Sequence, residues 1–152
     1  AWVWNVGMAW HAESSLSRSL LAVLGLGLVF SMSQVYRLRA VPVWNTWRTP
    51  VAFFLSTAVL GSLGVNLIAP APGWALLAGL ALSGELSLAL TIKSSPSGWA
   101  DWLHLASLGL GLAGTLLLLL GAVLSIPVFV LALVSELLGR WQFYAGRPIW
   151  HY

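Results

Sequence analysis

Apolar residues fall into long runs, separated by short clusters of charge, proline and tryptophan, and the lengths of the runs predict membrane-crossing helices. The first covers about 19 to 36 (SLLAVLGLGLVFSMSQVY) and reaches roughly 27 Å as a helix at 1.5 Å per residue, close to the hydrocarbon thickness of a bilayer. The second covers about 50 to 69 and stops at PAPG, where the prolines lack the amide hydrogens to continue a helix. The third covers about 73 to 92, with Lys93 and an SSPSG turn after it. From Leu103 to Ser135 no charged side chain appears, a stretch of roughly 50 Å as one helix and too long for one crossing. It divides into spans at 101 to 119 and 122 to 144, with a tight turn near Leu118 to Ala122 and Gly121 as its hinge. The expected fold is all-α: one polytopic transmembrane helix bundle over residues 1 to 152, with five spans.

Between the first two spans lies VYRLRAVPVWNTWRTPVAFFL, residues 35 to 55. Arg37, Arg39 and Arg48 give this loop three positive charges and no negative one, the pattern of a loop kept on the cytoplasmic side. Pro50 sits where a helix can start without its first amide hydrogens bonded. Trp44 and Trp47 suit headgroup depth, with the ring in lipid and the indole N–H wet. Alternating loops place Arg37, Arg39, Arg48, Lys93, Arg140 and Arg147 on one side and Arg18 on the other, so the C-terminus is expected in the cytoplasm. Trp74, Trp99, Trp102 and Trp141 also fall at span ends.

Composition agrees with this picture. Hydrophobic residues make up 59% and charged residues 7%, against about 25% charged in a soluble domain. The net charge of +3 is spread over turns and does not gather on one face, which argues against nucleic acid as a partner. There is no cysteine, which removes disulfides and thiolate-held metal or iron–sulfur sites. The opening AWVWNVGMAWHAESSLSR has neither the basic start nor the apolar run of a signal peptide, and the chain is expected to be a piece of a longer one.

Without a hydrophobic drive between helices in lipid, contacts depend on small residues. Ala75, Gly79, Ser83 and Ser87 in the third span, and Ser107, Gly111 and Thr115 in the fourth, predict two close-packing stripes. Glu85 lies inside the third span, where a charge costs roughly 2.5 to 3.5 kcal/mol on insertion scales, so it should face protein or water. Two uses remain open for it: a proton acceptor or ligand contact, or a neutral carboxyl bonded to a neighbouring helix. Glu136 and Arg140 are four residues apart with the acid first, the favourable order for an ion pair on one helix face. These residues, with Gln34 and the loop arginines, lie toward one membrane face and predict a polar cluster there. His11, His104 and His151 share no depth on facing helices, so a bis-histidine haem is not expected. Hydrolase, metalloprotease and phosphate-loop motifs are absent from the sequence.

Two blocks carry a family resemblance. Tyr36, Pro42, Trp44, Trp47, Thr49, Pro50, Phe53, Phe54 and Leu55, followed by Glu136, Gly139, Arg140, Phe143 and Tyr144, resemble the C-terminal part of the membrane-anchor subunits of dimethyl sulfoxide reductases, relatives of the polysulfide-reductase membrane subunits. The resemblance implies a parent of about eight spans in a bacterial or archaeal cytoplasmic membrane. It implies an anchor that binds menaquinol, holds no haem or iron–sulfur cluster itself, and passes electrons to an iron–sulfur subunit feeding a molybdopterin catalytic subunit, as in anaerobic respiration. The family's quinol-site histidine and glutamate are expected in the front half of the parent. The candidates within this chain are Glu85, Glu136 and Arg140 for quinol or proton handling, and Arg37, Arg39, Trp44, Trp47 and Arg48 for partner contact or topology. The competing reading is a polytopic permease or proton-coupled transporter using the same three interior residues.

Overall fold

The computed structural model describes residues 15–37, 45–92, 98–121 and 124–145. Five helices follow one another: α1 (Ser15–Tyr36), α2 (Arg48–Ile68), α3 (Pro72–Ile92), α4 (Trp99–Leu119) and α5 (Ser125–Ala145), with no strand among the described residues. At 21 or 22 residues each they reach roughly 32 Å, the hydrocarbon thickness of a bilayer. Four of them, α1 to α4, are long and apolar enough to cross a membrane. The fifth is as long and carries Glu136 and Arg140 in its second half. The chain is a multi-pass membrane protein, all-α as its apolar runs indicate.

The turns follow from local chemistry. Pro50 occupies the first turn of α2, and Pro72 is the first residue of α3, positions where a missing amide hydrogen removes no helical bond. Asn66, buried in the last turn of α2, accepts from the Ala71 amide at 3.2 Å and donates to Ser125 Oγ at 3.4 Å. One side chain thus closes the α2–α3 turn and ties it to the start of α5. Gly121 has φ of +86°, a conformation that glycine reaches without a Cβ clash, and it breaks the long uncharged stretch between α4 and α5.

Helices α2, α3, α4 and α5 form a closed ring, each packed on the next and α5 returning to α2, while among the described helices α1 packs on α2 alone. The core of the ring is Val59, Leu63, Ala78, Ala81, Leu82, Leu108, Val128 and Ala132. Small residues set the approach, as expected in lipid. A Cβ on Gly79 would stand 3.3 Å from Thr115 Oγ1, and one on Gly111 would stand 3.4 Å from Leu82. The α4 stripe of Ser107, Gly111 and Thr115 is buried throughout.

The α3 stripe departs from the expectation. Ala75 and Gly79 face the bundle, but Ser83 and Ser87 are exposed and their hydroxyls bond back to the carbonyls of Gly79 and Ser83. Every fourth position advances 40° beyond a full turn at 3.6 residues per turn. By the second step, at Ser83, the stripe has left the interface, and Ala78, Ala81 and Leu82 take its place.

Tryptophans mark the helix ends. Trp47, Trp74, Trp99, Trp102 and Trp141 all lie in end turns with exposed rings, and Trp99 and Trp141 meet at 6.2 Å between centroids, pinning the start of α4 to the end of α5. Exposed rings at both ends of an apolar bundle are the arrangement of an interfacial belt.

Candidate functional site

Antiparallel neighbours bring the starts of α2 and α4 to the same end of the bundle as the finishes of α1, α3 and α5. That end holds the polar interior. The buried face of α2 runs through Thr49, Phe53, Ser56, Val59, Ser62, Leu63 and Asn66, spacings of three and four that keep one side turned inward. Ser56 lies roughly 12 Å along α2 from its start. Glu85 lies roughly 10 Å from the end of α3, and Glu136 roughly 13 Å from the end of α5. The three are therefore level.

They meet. Ser56 Oγ stands 3.2 Å from Glu85 Oε1 and 2.6 Å from Glu136 Oε2. Ser56 is 8% exposed, and both glutamates are half-buried. Three helices thus converge on one hydroxyl, and neither acid is spent on lipid, where an unpaired charge would be costly. The other oxygen of Glu136, Oε1, is buried with no hydrogen-bond partner, as is Ser135 Oγ beside it.

Arg140 does not close the ion pair that its spacing from Glu136 suggests. Its guanidinium carbon lies 3.9 Å from the centroid of the Phe53 ring, a cation–π arrangement worth about 0.5 to 2 kcal/mol depending on desolvation. The four-residue rule describes an isolated helix surface; here α2 brings an aromatic face against α5 and captures the cation. Phe53 also meets Tyr36, with centroids 5.2 Å apart. One ring therefore joins α1, α2 and α5 directly above the Ser56 junction.

The described loop cations, Arg37 and Arg48, make contacts apart from the acid pair. Arg37 Nη1 donates to Gln34 Oε1 at 3.2 Å on the exposed end of α1, and Arg48 lies 5.9 Å from the ring of its neighbour Trp47. Neither contact reaches the carboxyl pair, so the polar cluster is smaller than the sequence suggested. It contains Glu85 and Glu136 with Arg140 nearby, and not Gln34 or the loop arginines by any of these contacts. Arg39 and Trp44 lie outside the described residues, as do Lys93 and Arg147.

Two further side chains furnish this end. His104 Nδ1 is 3.2 Å from the Ser135 carbonyl, and its ring crowds Gly139, where an added Cβ would stand 2.9 Å from Cε1. Asp101 is buried in the first turn of α4. Among the described residues no group of three or more potential metal-ligating side chains is gathered.

Ser56 and Phe53 are the members that sequence reasoning missed. A serine inside an apolar span resembles any other, and Ser62, Ser83 and Ser87 do no more than bond their own backbone. The available signal was Ser56 sharing the inward face of α2 with Thr49 and Asn66.

Residues 4–94, more than half of the chain, match the family model described as DMSO reductase anchor subunit (DmsC). The matched region contains the arginine and tryptophan loop, Phe53, Ser56 and Glu85; Glu136 and Arg140 lie beyond it. Comparison with curated proteins and with solved structures returned no match.

Proposed function

The chain belongs to the family of DMSO reductase anchor subunits, and from that premise we propose that it is the membrane-embedded electron entry of a molybdopterin oxidoreductase complex. In this reading it helps bind menaquinol and passes the electrons to an iron–sulfur subunit, which supplies the molybdopterin catalytic subunit. The complex sits in a bacterial or archaeal cytoplasmic membrane with the C-terminus of this chain in the cytoplasm, and serves anaerobic respiration. The metal centres belong to the partners.

The observation that carries the proposal is the combination of the family match with a half-buried acid pair joined through Ser56 in an apolar helix bundle. Oxidising a quinol removes two electrons and two protons, which calls for polar groups able to take hydrogens from the ring hydroxyls inside an apolar setting. Glu85 and Glu136 supply carboxyls at bilayer depth. Arg140, held on Phe53, keeps a positive charge near the pair, which favours the ionised carboxylate that can accept a proton. The basic loop, with Arg37 and Arg48, orients the subunit, and we assign it to topology ahead of partner contact.

Assembly is the first test. The subunit extracted from membranes in mild detergent is expected to migrate on a native gel as one complex with an iron–sulfur protein and a molybdopterin protein. Migration alone, from membranes that contain both partners, would contradict the reading and favour a permease. Arg48→Ala should leave the complex intact, because the residue serves orientation here; loss of the partners would move Arg48 into the docking surface.

A further inference from the structure

One hydroxyl touches two acids on two different helices. A serine hydroxyl has one hydrogen, and an ionised carboxylate can only accept. The contacts of Ser56 Oγ with Glu85 at 3.2 Å and Glu136 at 2.6 Å are therefore both hydrogen bonds only if at least one carboxyl holds a proton. With one proton on the pair, the protonated carboxyl donates to Oγ while the Ser56 O–H donates to the other. Two ionised carboxylates would leave one contact as two acceptors face to face. The second oxygen of Glu136 is buried with no partner outside the pair, and within the pair the two carboxyls also interact directly.

We propose that Ser56 is a proton relay between α3 and α5, holding Glu85 and Glu136 as a pair that shares a single proton and passes it across α2. In the transfer the protonated carboxyl gives its hydrogen to Ser56 Oγ, and the hydroxyl hydrogen already on Oγ goes to the opposite carboxylate. One carboxyl O–H bond breaks, one forms on the other acid, and the serine ends as it began with its hydrogen exchanged. No electron moves. The net result is a negative charge moved between α3 and α5 with no ion crossing the apolar interior, where carrying it would cost several kcal/mol.

The groups around the pair leave this bridge in place. Arg140 lies on the Phe53 ring, Arg37 contacts Gln34 and Arg48 lies near Trp47. From α4, His104 meets the Ser135 carbonyl, and Asp101 is buried in the first turn, three residues before it. Tyr36, from α1, packs on Phe53. Ser56 is thus a positioning residue for the acid pair. The assignment rests on this geometry and not on the quinol reading.

The test is infrared difference spectroscopy of the whole subunit in lipid at neutral pH, which reads protonation and not turnover. Wild type is expected to show one carboxylic-acid C=O band that disappears in Glu85→Gln and also in Glu136→Gln. In each variant the glutamine amide can donate to Oγ, and the remaining acid ionises. Ser56→Ala is expected to shift the band, and Ser56→Thr, which keeps the hydroxyl, to hold it at the wild-type position. A wild-type spectrum with no such band overturns the proposal, as does a band that survives in either glutamine variant, since that would mean two independent protons. A band unmoved by Ser56→Ala overturns the relay. Should that variant fail to fold, the glutamine variants and Ser56→Thr decide the matter alone.

Discussion

Replacing Glu85 and Glu136 together with glutamine is expected to slow menaquinol oxidation by the assembled complex by about 100-fold, the lower end of what a positioned acid or base contributes. Glutamine has nearly the shape of glutamate and can donate to and accept from Ser56 Oγ, so the three-helix junction should persist. What it cannot do is take up a proton. The loss should therefore appear in the rate at saturating quinol, with the complex intact on a native gel and its partner centres still loaded. The check is stopped-flow oxidation of a reduced menaquinol analogue by purified complex in lipid. A rate within twofold of wild type would remove both acids from the proton path and leave them a purely structural role.

Gly114→Ala is expected to destabilise the bundle by about 1 to 3 kcal/mol, the usual cost of forcing extra atoms into a packed interface. An added Cβ would stand 2.7 Å from Val128 Cγ2 and 3.4 Å from Cγ1. Valine is stiff at χ1, so its methyls cannot swing aside as the end of a long side chain would. The two helices are also held together at this end by the short turn around Gly121, which limits how far α5 can back away. Gly109, on the same helix with nothing within 4 Å of its Cβ position, provides the control: Gly109→Ala should leave stability unchanged. Adding Val128→Ala to Gly114→Ala should recover part of the loss, as expected when two residues in contact are coupled. Thermal unfolding in detergent micelles compares the three variants with wild type, and a Gly114→Ala variant that melts with wild type would contradict the packing described here.

The helices were legible in the sequence because lipid imposes a simple rule, that a crossing needs about 20 mostly apolar residues between polar ends. The described helices end at Tyr36, Ile68, Ile92, Leu119 and Ala145, where the apolar runs give way to turns and polar clusters. Ser15 begins α1 a turn early because the polar SLSR segment winds into the helix. Gly121 was legible for a similar reason: an uncharged stretch too long for one crossing must turn, and glycine is the residue that turns most readily.

The interior was legible only in part. Glu85 stood out because a carboxyl in an apolar run is costly wherever it points, but its partners lie 29 and 80 residues away through Ser56, and no local spacing encodes such a meeting. The Glu136 and Arg140 pair shows the converse. Local spacing favoured an ion pair, and tertiary packing overrode it by offering Arg140 the face of Phe53. Ser83 and Ser87 failed as packing residues because a strict four-residue stripe winds around the helix, whereas a buried face follows alternating steps of three and four.

The electron path is the central claim, and reduction of the partner subunit's iron–sulfur centres by a menaquinol analogue in the lipid-reconstituted complex tests it most directly. Followed by electron paramagnetic resonance, the clusters should become reduced on adding the quinol when this subunit is present, and stay oxidised when the complex is prepared without it. Equal reduction with and without the subunit, or clusters that remain oxidised in the full complex, would contradict the account.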